Sequence, residues 1–150
     1  MKEYAFETSK VDTSRLRSDP LFVSDYSSAH GGTVIVTHDA FIGYNGGIVL
    51  ARRRDNPCKG QLFPIGGRVK RGVGLEHSLR LKAFEECGLD LRSFDYLDVV
   101  RLYCETDPCG HNKGTDIVNF VYFSRGEGDL KLDDSIEYPI IVTPLKYKEG

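Results

Sequence analysis

The sequence predicts a layered α/β (α+β) domain with a mixed sheet packed against helix, and three observations carry that reading. Strand-like runs stand on both sides of one helical segment. That segment, Gly74 to Gly88, places apolar residues at three- and four-residue spacing, and turn residues punctuate the joins. At 150 residues with 40% hydrophobic residues, the chain is large enough for one domain with a real core and too short for two.

Residues 1–31 are polar, with Ser and Asp among isolated aromatics, and read as an irregular N-terminal arm carrying at most a short strand or turn. The single domain is expected to span residues 32–150. Thr33-Val34-Ile35-Val36-Thr37 is β-branched and predicts a strand. Asn45-Gly46 supplies a hairpin turn, and Ile48 to Ala51 resumes as the partner strand, ending on Arg52, Arg53 and Arg54. Asp55 to Gly60 is a loop by composition, and the short apolar piece Leu62 to Ile65 runs into a Gly66-Gly67 turn. The helix should begin near Gly74 and stop at Gly88. Leu75, Leu79, Ala83 and Phe84 form its core-facing stripe, and Lys82, Glu85 and Glu86 share a neighbouring face. Tyr96 to Tyr103, Ile117 to Phe123 and Pro139 to Thr143 read as further strands, with Cys104 to Gly114 as a long loop.

A net charge of -2 leaves no global basic field to hold a nucleic-acid backbone, so a small anionic ligand fits better than a duplex. No apolar run is long enough for a membrane span, and Met1 to Pro20 lacks the apolar core of a secretory signal. Four cysteines in such a chain read as reduced thiols of a cytoplasmic protein. Cys104, Cys109 and His111 lack a fourth neighbouring ligand and the two-residue cysteine spacing of a zinc ribbon, which favours a cysteine-containing loop over zinc.

The chemistry-bearing stretch is Gly66-Gly67-Arg68-Val69-Lys70-Arg71-Gly72, followed by the helix that closes on Glu85-Glu86-Cys87-Gly88-Leu89. A glycine-rich turn feeding a helix with paired carboxylates is one way to set backbone groups and acidic side chains around a metal-bound diphosphate. Carboxylates at a helix C-terminus oppose the helix dipole, at a cost of a few tenths of a kcal/mol or more, and a bound cation would remove that penalty. The bland alternative is a tight turn and a solvated helix end.

The stretch from Asn45 to Leu89 resembles the Nudix hydrolases, whose signature is Gly, five residues, Glu, seven residues, Arg-Glu, an aliphatic, any residue, Glu-Glu, any residue, Gly and an aliphatic. In register, its first Gly falls on Gly67, its Glu-Glu on Glu85 and Glu86, and its closing pair on Gly88 and Leu89. Val73, Leu81 and Lys82 stand where the pattern has Glu, Arg and Glu. Pro57 to Val69, and Gly114-Thr115-Asp116 before a strand, look like the subgroup resembling GDP-mannose mannosyl hydrolases, which has a similarly reduced box.

The resemblance implies a Nudix-like α/β/α sandwich around a mixed sheet. It implies one Mg²⁺ held by Glu86, Glu85 and a backbone carbonyl near Gly66, with Gly67, Arg53 and Arg68 at the pyrophosphate. The subgroup's catalytic histidine has no counterpart in Leu132 to Tyr138, leaving Asp133, Asp134, Glu137 and the loop residue His111 as candidate bases. The limited length after Thr143 suggests a thin helical layer or one supplied by a second subunit of a homodimer.

Two functions follow. One is a Mg²⁺-dependent hydrolase of a nucleoside diphosphate derivative, with a nucleotide sugar such as GDP-mannose as first choice and nucleoside diphosphate and sugar as products. The other is a catalytically weak domain that binds a nucleotide or protein partner without turnover, favoured by the losses at Val73, Leu81 and Lys82.

Overall fold

The computed structural model describes residues 12–17, 19–131 and 136–143. A 3-10 turn (Thr13–Leu16) and helix α1 (Val23–Gly32) precede strands β1 (Ile35–Tyr44), β2 (Gly47–Arg53), β3 (Leu62–Phe63) and β4 (Ile65–Arg68). Helix α2 (Leu75–Cys87) follows, then β5 (Asp90–Leu91), β6 (Asp95–Cys104), β7 (Thr115–Glu127) and β8 (Ile136–Val142). The sheet is mixed: β1 runs parallel to β7, and all the other described pairings are antiparallel.

β1 organises the sheet because it meets three strands. Its first half pairs with β4, Thr37 opposite Arg68 through Ala40 opposite Ile65. Its second half pairs with β2 across the expected Asn45-Gly46 turn, and β7 lies along its other side. Asn45 and Gly46 both have positive φ, 47° and 77°, the conformation a two-residue hairpin requires.

Helix α2 has the predicted bounds. Gly88, with φ 72°, takes the left-handed position that ends the helix and donates its N–H to the Phe84 carbonyl at 3.0 Å. Leu75, Ser78, Leu79, Ala83 and Cys87 are the buried face, packed on β4, β5 and β1. Phe84 departs from the predicted stripe and is 61% exposed; the helix turns so that Ser78 and Cys87 take the inward positions. Leu79, fully buried among Ala40, Ile42, Val49, Ile65 and Leu89, anchors this layer. Its truncation to Ala should cost about 2–5 kcal/mol.

Two further expectations need correction. Gly66 and Gly67 lie inside β4 rather than in a turn. A Cβ at Gly66 would overlap the His38 carbonyl oxygen and the Asp39 carboxylate, so glycine is what lets β4 approach β1 so closely. The described part of the N-terminal arm also holds a helix that its composition does not predict. α1 forms despite three serines and two glycines because its side chains are tied elsewhere: Tyr26 lies under Arg68, and His30 bonds His111.

Candidate active site

Strand alternation on β1 buries His38, Ala40 and Ile42 on one face and turns Thr37 and Asp39 to the other. His38 Nε2 lies 2.7 Å from Ser78 Oγ, which also accepts the Lys70 N–H at 2.8 Å, so one buried contact joins β1, α2 and the segment after β4. On the opposite face, Asn119 of β7 donates to Asp39 Oδ2 at 2.7 Å and accepts from the Thr37 hydroxyl at 2.9 Å.

Asp39 borders a hollow with Thr37, Arg53, Pro57, Gly66 and Gly67, and a second, adjoining hollow runs from Arg53 and Gly66 to Arg54 and Glu86. Burial pushes the Asp39 carboxyl up to about 6. The Asn119 hydrogen bond works against the rise, the Glu86 carboxylate adds to it, and Arg53 opposes it. The cleft therefore holds two mutually repelling carboxylates, Asp39 and Glu86, beside an arginine. Arg53 is aimed by its Nε bond to the Pro57 carbonyl at 2.7 Å and lies over the Phe63 ring at 5.5 Å.

The carboxylates at the end of α2 differ in setting. Glu86 Oε1 pairs with Lys82 Nζ at 2.9 Å, and its side chain is only 12% exposed. Glu85 pairs with Lys70 at 2.5 Å and is 53% exposed. Lys82 also reaches the backbone of β4, where a Cβ at Gly67 would lie 2.9 Å from its Cε. Among the described residues, no three His, Cys, Asp or Glu side chains come together as a ready-made metal site. A larger groove of about 830 Å³, lined by Tyr44, Ile48, Phe123 and Val142, is apolar and lacks the cation cluster a diphosphate needs.

A strand carrying two glycines, a helix ending in two glutamates and a cleft between them stand together, and the NUDIX domain matches residues 34–141. The chain belongs to the Nudix family. This Nudix chain is similar to the MutT NUDIX hydrolase from Burkholderia pseudomallei at 24% identity and a TM-score of 0.60, covering 71% of this chain and 81% of that one. It is also similar to the MutT protein from Methanosarcina mazei Go1, at 20% identity and 0.62 over 78% and 82% of the two chains. A bifunctional NMN adenylyltransferase/ADP ribose pyrophosphatase from Francisella tularensis aligns at 16% identity and 0.56, over 81% of this chain and 38% of that one. At these identities the likenesses establish the fold, and the domain match places the chain among hydrolases. Comparison with curated proteins finds no significant match.

The Nudix cleft unites some predicted site residues and sets others apart. Glu86, Gly66, Gly67 and Arg53 border it. Glu85 is held at the helix surface by Lys70. Arg68 is exposed and lies over the Tyr26 ring at 4.1 Å, so α1 restrains it beside the cleft.

His111 sits between the loop and α1. Its Nε2 is 2.8 Å from His30 Nδ1, and its Nδ1 accepts the Lys113 N–H at 3.1 Å, which commits both ring nitrogens away from Glu86. Asp107 organises that loop by accepting the N–H groups of Cys109, His111 and Asn112. Asp133 and Asp134 lie outside the described residues, as does the side chain of Glu137. Asp116 is bound to Arg101 by two hydrogen bonds of 2.7 and 2.8 Å. The carboxylate that does stand beside Glu86 in the cleft is Asp39, which the motif-based reading missed. Its signal was an aspartate in the middle of a β-branched strand, a residue type that strands disfavour.

Proposed function

We propose that this Nudix cleft hydrolyses a nucleoside diphosphate joined to a sugar, by attack of water at the anomeric carbon. The observation that supports it most is Asp39, an enclosed carboxyl with a raised pKa beside Arg53 and Glu86. Ionised at neutral pH and backed by Asn119, it can accept the proton of an attacking water, a role worth about 10²–10⁴ in rate. The new C–O bond forms from water, the bond between the anomeric carbon and the diphosphate oxygen breaks, and its electron pair leaves on the diphosphate. Arg53 and Arg68 meet that developing charge.

We infer a site for one divalent cation. Glu86 and the Gly66 backbone would hold Mg²⁺, whose remaining ligands come from diphosphate oxygens and water, and it would supply charge neutralisation on the leaving group. Lys82 already supplies one positive charge at Glu86, in keeping with a single-cation site.

GDP-mannose is the first substrate to test, since the Pro57 to Arg68 segment looks like that of the mannosyl hydrolases. A screen of nucleotide sugars and dinucleotides with Mg²⁺, followed by turnover in ¹⁸O-labelled water, tests the reading. Label in the sugar supports it, whereas label in a phosphate product means attack at phosphorus. The second reading, binding without turnover, draws on the lysine partners of both box glutamates, and nucleotide binding with no product from any substrate would favour it.

A cytoplasmic homodimer is the setting we infer. The four cysteines are free thiols, and no described helix is long and apolar enough to cross a membrane. Edge strand β6 exposes Leu97, Val99 and Tyr103, which suits a second copy. Light scattering on the purified protein distinguishes monomer from dimer.

A further inference from the structure

Cys58 and Cys104 are 46 positions apart in sequence, yet their sulfurs lie 3.5 Å from each other on the wall of the cleft that also carries Asp39 and Arg53. The two thiols are anchored differently. Cys104 closes β6, opposite Thr115 of β7, and its carbonyl is crowded by Gly114, where a Cβ would lie 2.5 Å away, so its backbone has little room to move. Cys58 sits on the loop after β2 with a positive φ of 62°, a left-handed conformation costly for a residue with a Cβ. That loop is fastened to β2 by the Gly60 N–H to the Arg53 carbonyl at 2.8 Å and by the Arg53 side chain to the Pro57 carbonyl at 2.7 Å. Any shift of Cys58 is therefore transmitted to Arg53.

We propose that Cys58 and Cys104 form a reversible disulfide that latches the loop after β2 to the end of β6 and displaces Arg53 from its ligand-binding position. The sulfurs need to close from 3.5 Å to about 2.0 Å, a movement the Cys58 loop and side-chain rotation supply. Burial, reinforced by the Cys58 contact and charge, pushes the Cys104 thiol up to about 11, so Cys58 is the attacking sulfur and Cys104 the resolving one.

With glutathione disulfide as oxidant, the Cys58 thiolate attacks one of its sulfurs and releases one glutathione thiolate. Cys104 then gives up its proton and attacks the Cys58 sulfur, releasing the second. Two protein thiols and one glutathione disulfide become one protein disulfide and two glutathiones. Reduction by excess glutathione reverses both steps. The remaining cysteines stand apart: Cys87 is fully buried and bonds the Ala83 carbonyl, and Cys109 belongs to the Asp107 loop.

The test equilibrates the full chain in graded glutathione buffers, traps free thiols by alkylation, and reads intact mass and proteolytic peptides. Loss of the mass of two hydrogens, with one peptide linking Cys58 to Cys104 and recovery in dithiothreitol, is expected. Separate glutathione adducts, or a link through Cys109, would overturn the pairing.

The effect on the ligand rests on the proposed cleft and is read separately, as the affinity for Mg²⁺ with GDP in oxidised and reduced protein. The disulfide should weaken binding about tenfold, and Cys58→Ser, which removes the attacking thiol, should give the same affinity in both buffers. A link that leaves affinity unchanged would overturn the latch while the cleft assignment stands. Reduced protein that neither binds GDP nor turns over any nucleotide sugar would remove the cleft assignment, leaving the pairing to be decided on mass alone.

Discussion

The end of α2 and the middle of β1 both bring carboxylates to the cleft, in opposite electrostatic settings. Glu85 and Glu86 each have a lysine counter-charge, at 2.5 and 2.9 Å. Asp39 has a neutral amide partner and an enclosing wall, and burial raises its pKa to about 6. A carboxylate paired with an ammonium is suited to holding charge, while one that ionises close to neutral pH is suited to moving a proton. On the proposed function, the two settings divide the acidic work of this Nudix domain, with Glu86 assigned to cation and diphosphate binding and Asp39 to the proton of the attacking water.

Removing the strand carboxylate should have the largest effect. Asp39→Asn is expected to lower turnover about a thousandfold, the range for loss of a general base, with KM little changed. The same variant should be more stable. In the folded protein Asp39 has its pKa raised above the unfolded value of 3.8, so the native state binds more protons between pH 3.8 and about 6, and stability falls as pH rises through that window. At neutral pH the neutral amide avoids that loss, and the melting temperature should rise by roughly 4 °C or more, measured by calorimetry.

Glu86→Gln should lower turnover about a hundredfold and raise the Mg²⁺ concentration at half-maximal rate, since it removes the carboxylate that lines the same hollow as the Gly66 backbone. Unchanged activity at limiting Mg²⁺ would erase the division of roles. Lys82→Glu sharpens it: replacing the ammonium by a carboxylate at Glu86 should lower the half-saturating Mg²⁺ concentration about threefold to tenfold in a metal titration. Glu85→Gln should be the mildest, within about twofold in rate, because it breaks an exposed pair whose worth is at most about 1 kcal/mol.

Much of this was legible from residues. The Asn45-Gly46 turn, the Gly74 and Gly88 limits of α2 and the Ile117 to Phe123 part of β7 follow from local chemistry, so periodicity and turn residues locate them. What local chemistry does not fix was missed. Phe84 fits a helical stripe by spacing but falls outside the face that packs on β4 and β5. α1 has a composition that opposes helix, and forms where Tyr26 meets Arg68 and His30 meets His111. At the site, motif register singled out Glu86 and Gly67, and both border the cleft. Asp39 reaches them only through the pairing of β1 with β4, a long-range contact that spacing along the chain does not encode.

The pH dependence of kcat/KM tests the assignment of Asp39 most directly. With an active nucleotide sugar at limiting Mg²⁺, where the free enzyme carries no cation beside Asp39, kcat/KM should fall on the acid side with a midpoint near 6, as Asp39 takes up a proton and ceases to act as a base. A profile that stays flat down to the ordinary carboxylate range near pH 4 would contradict the account and return the proton transfer to another group.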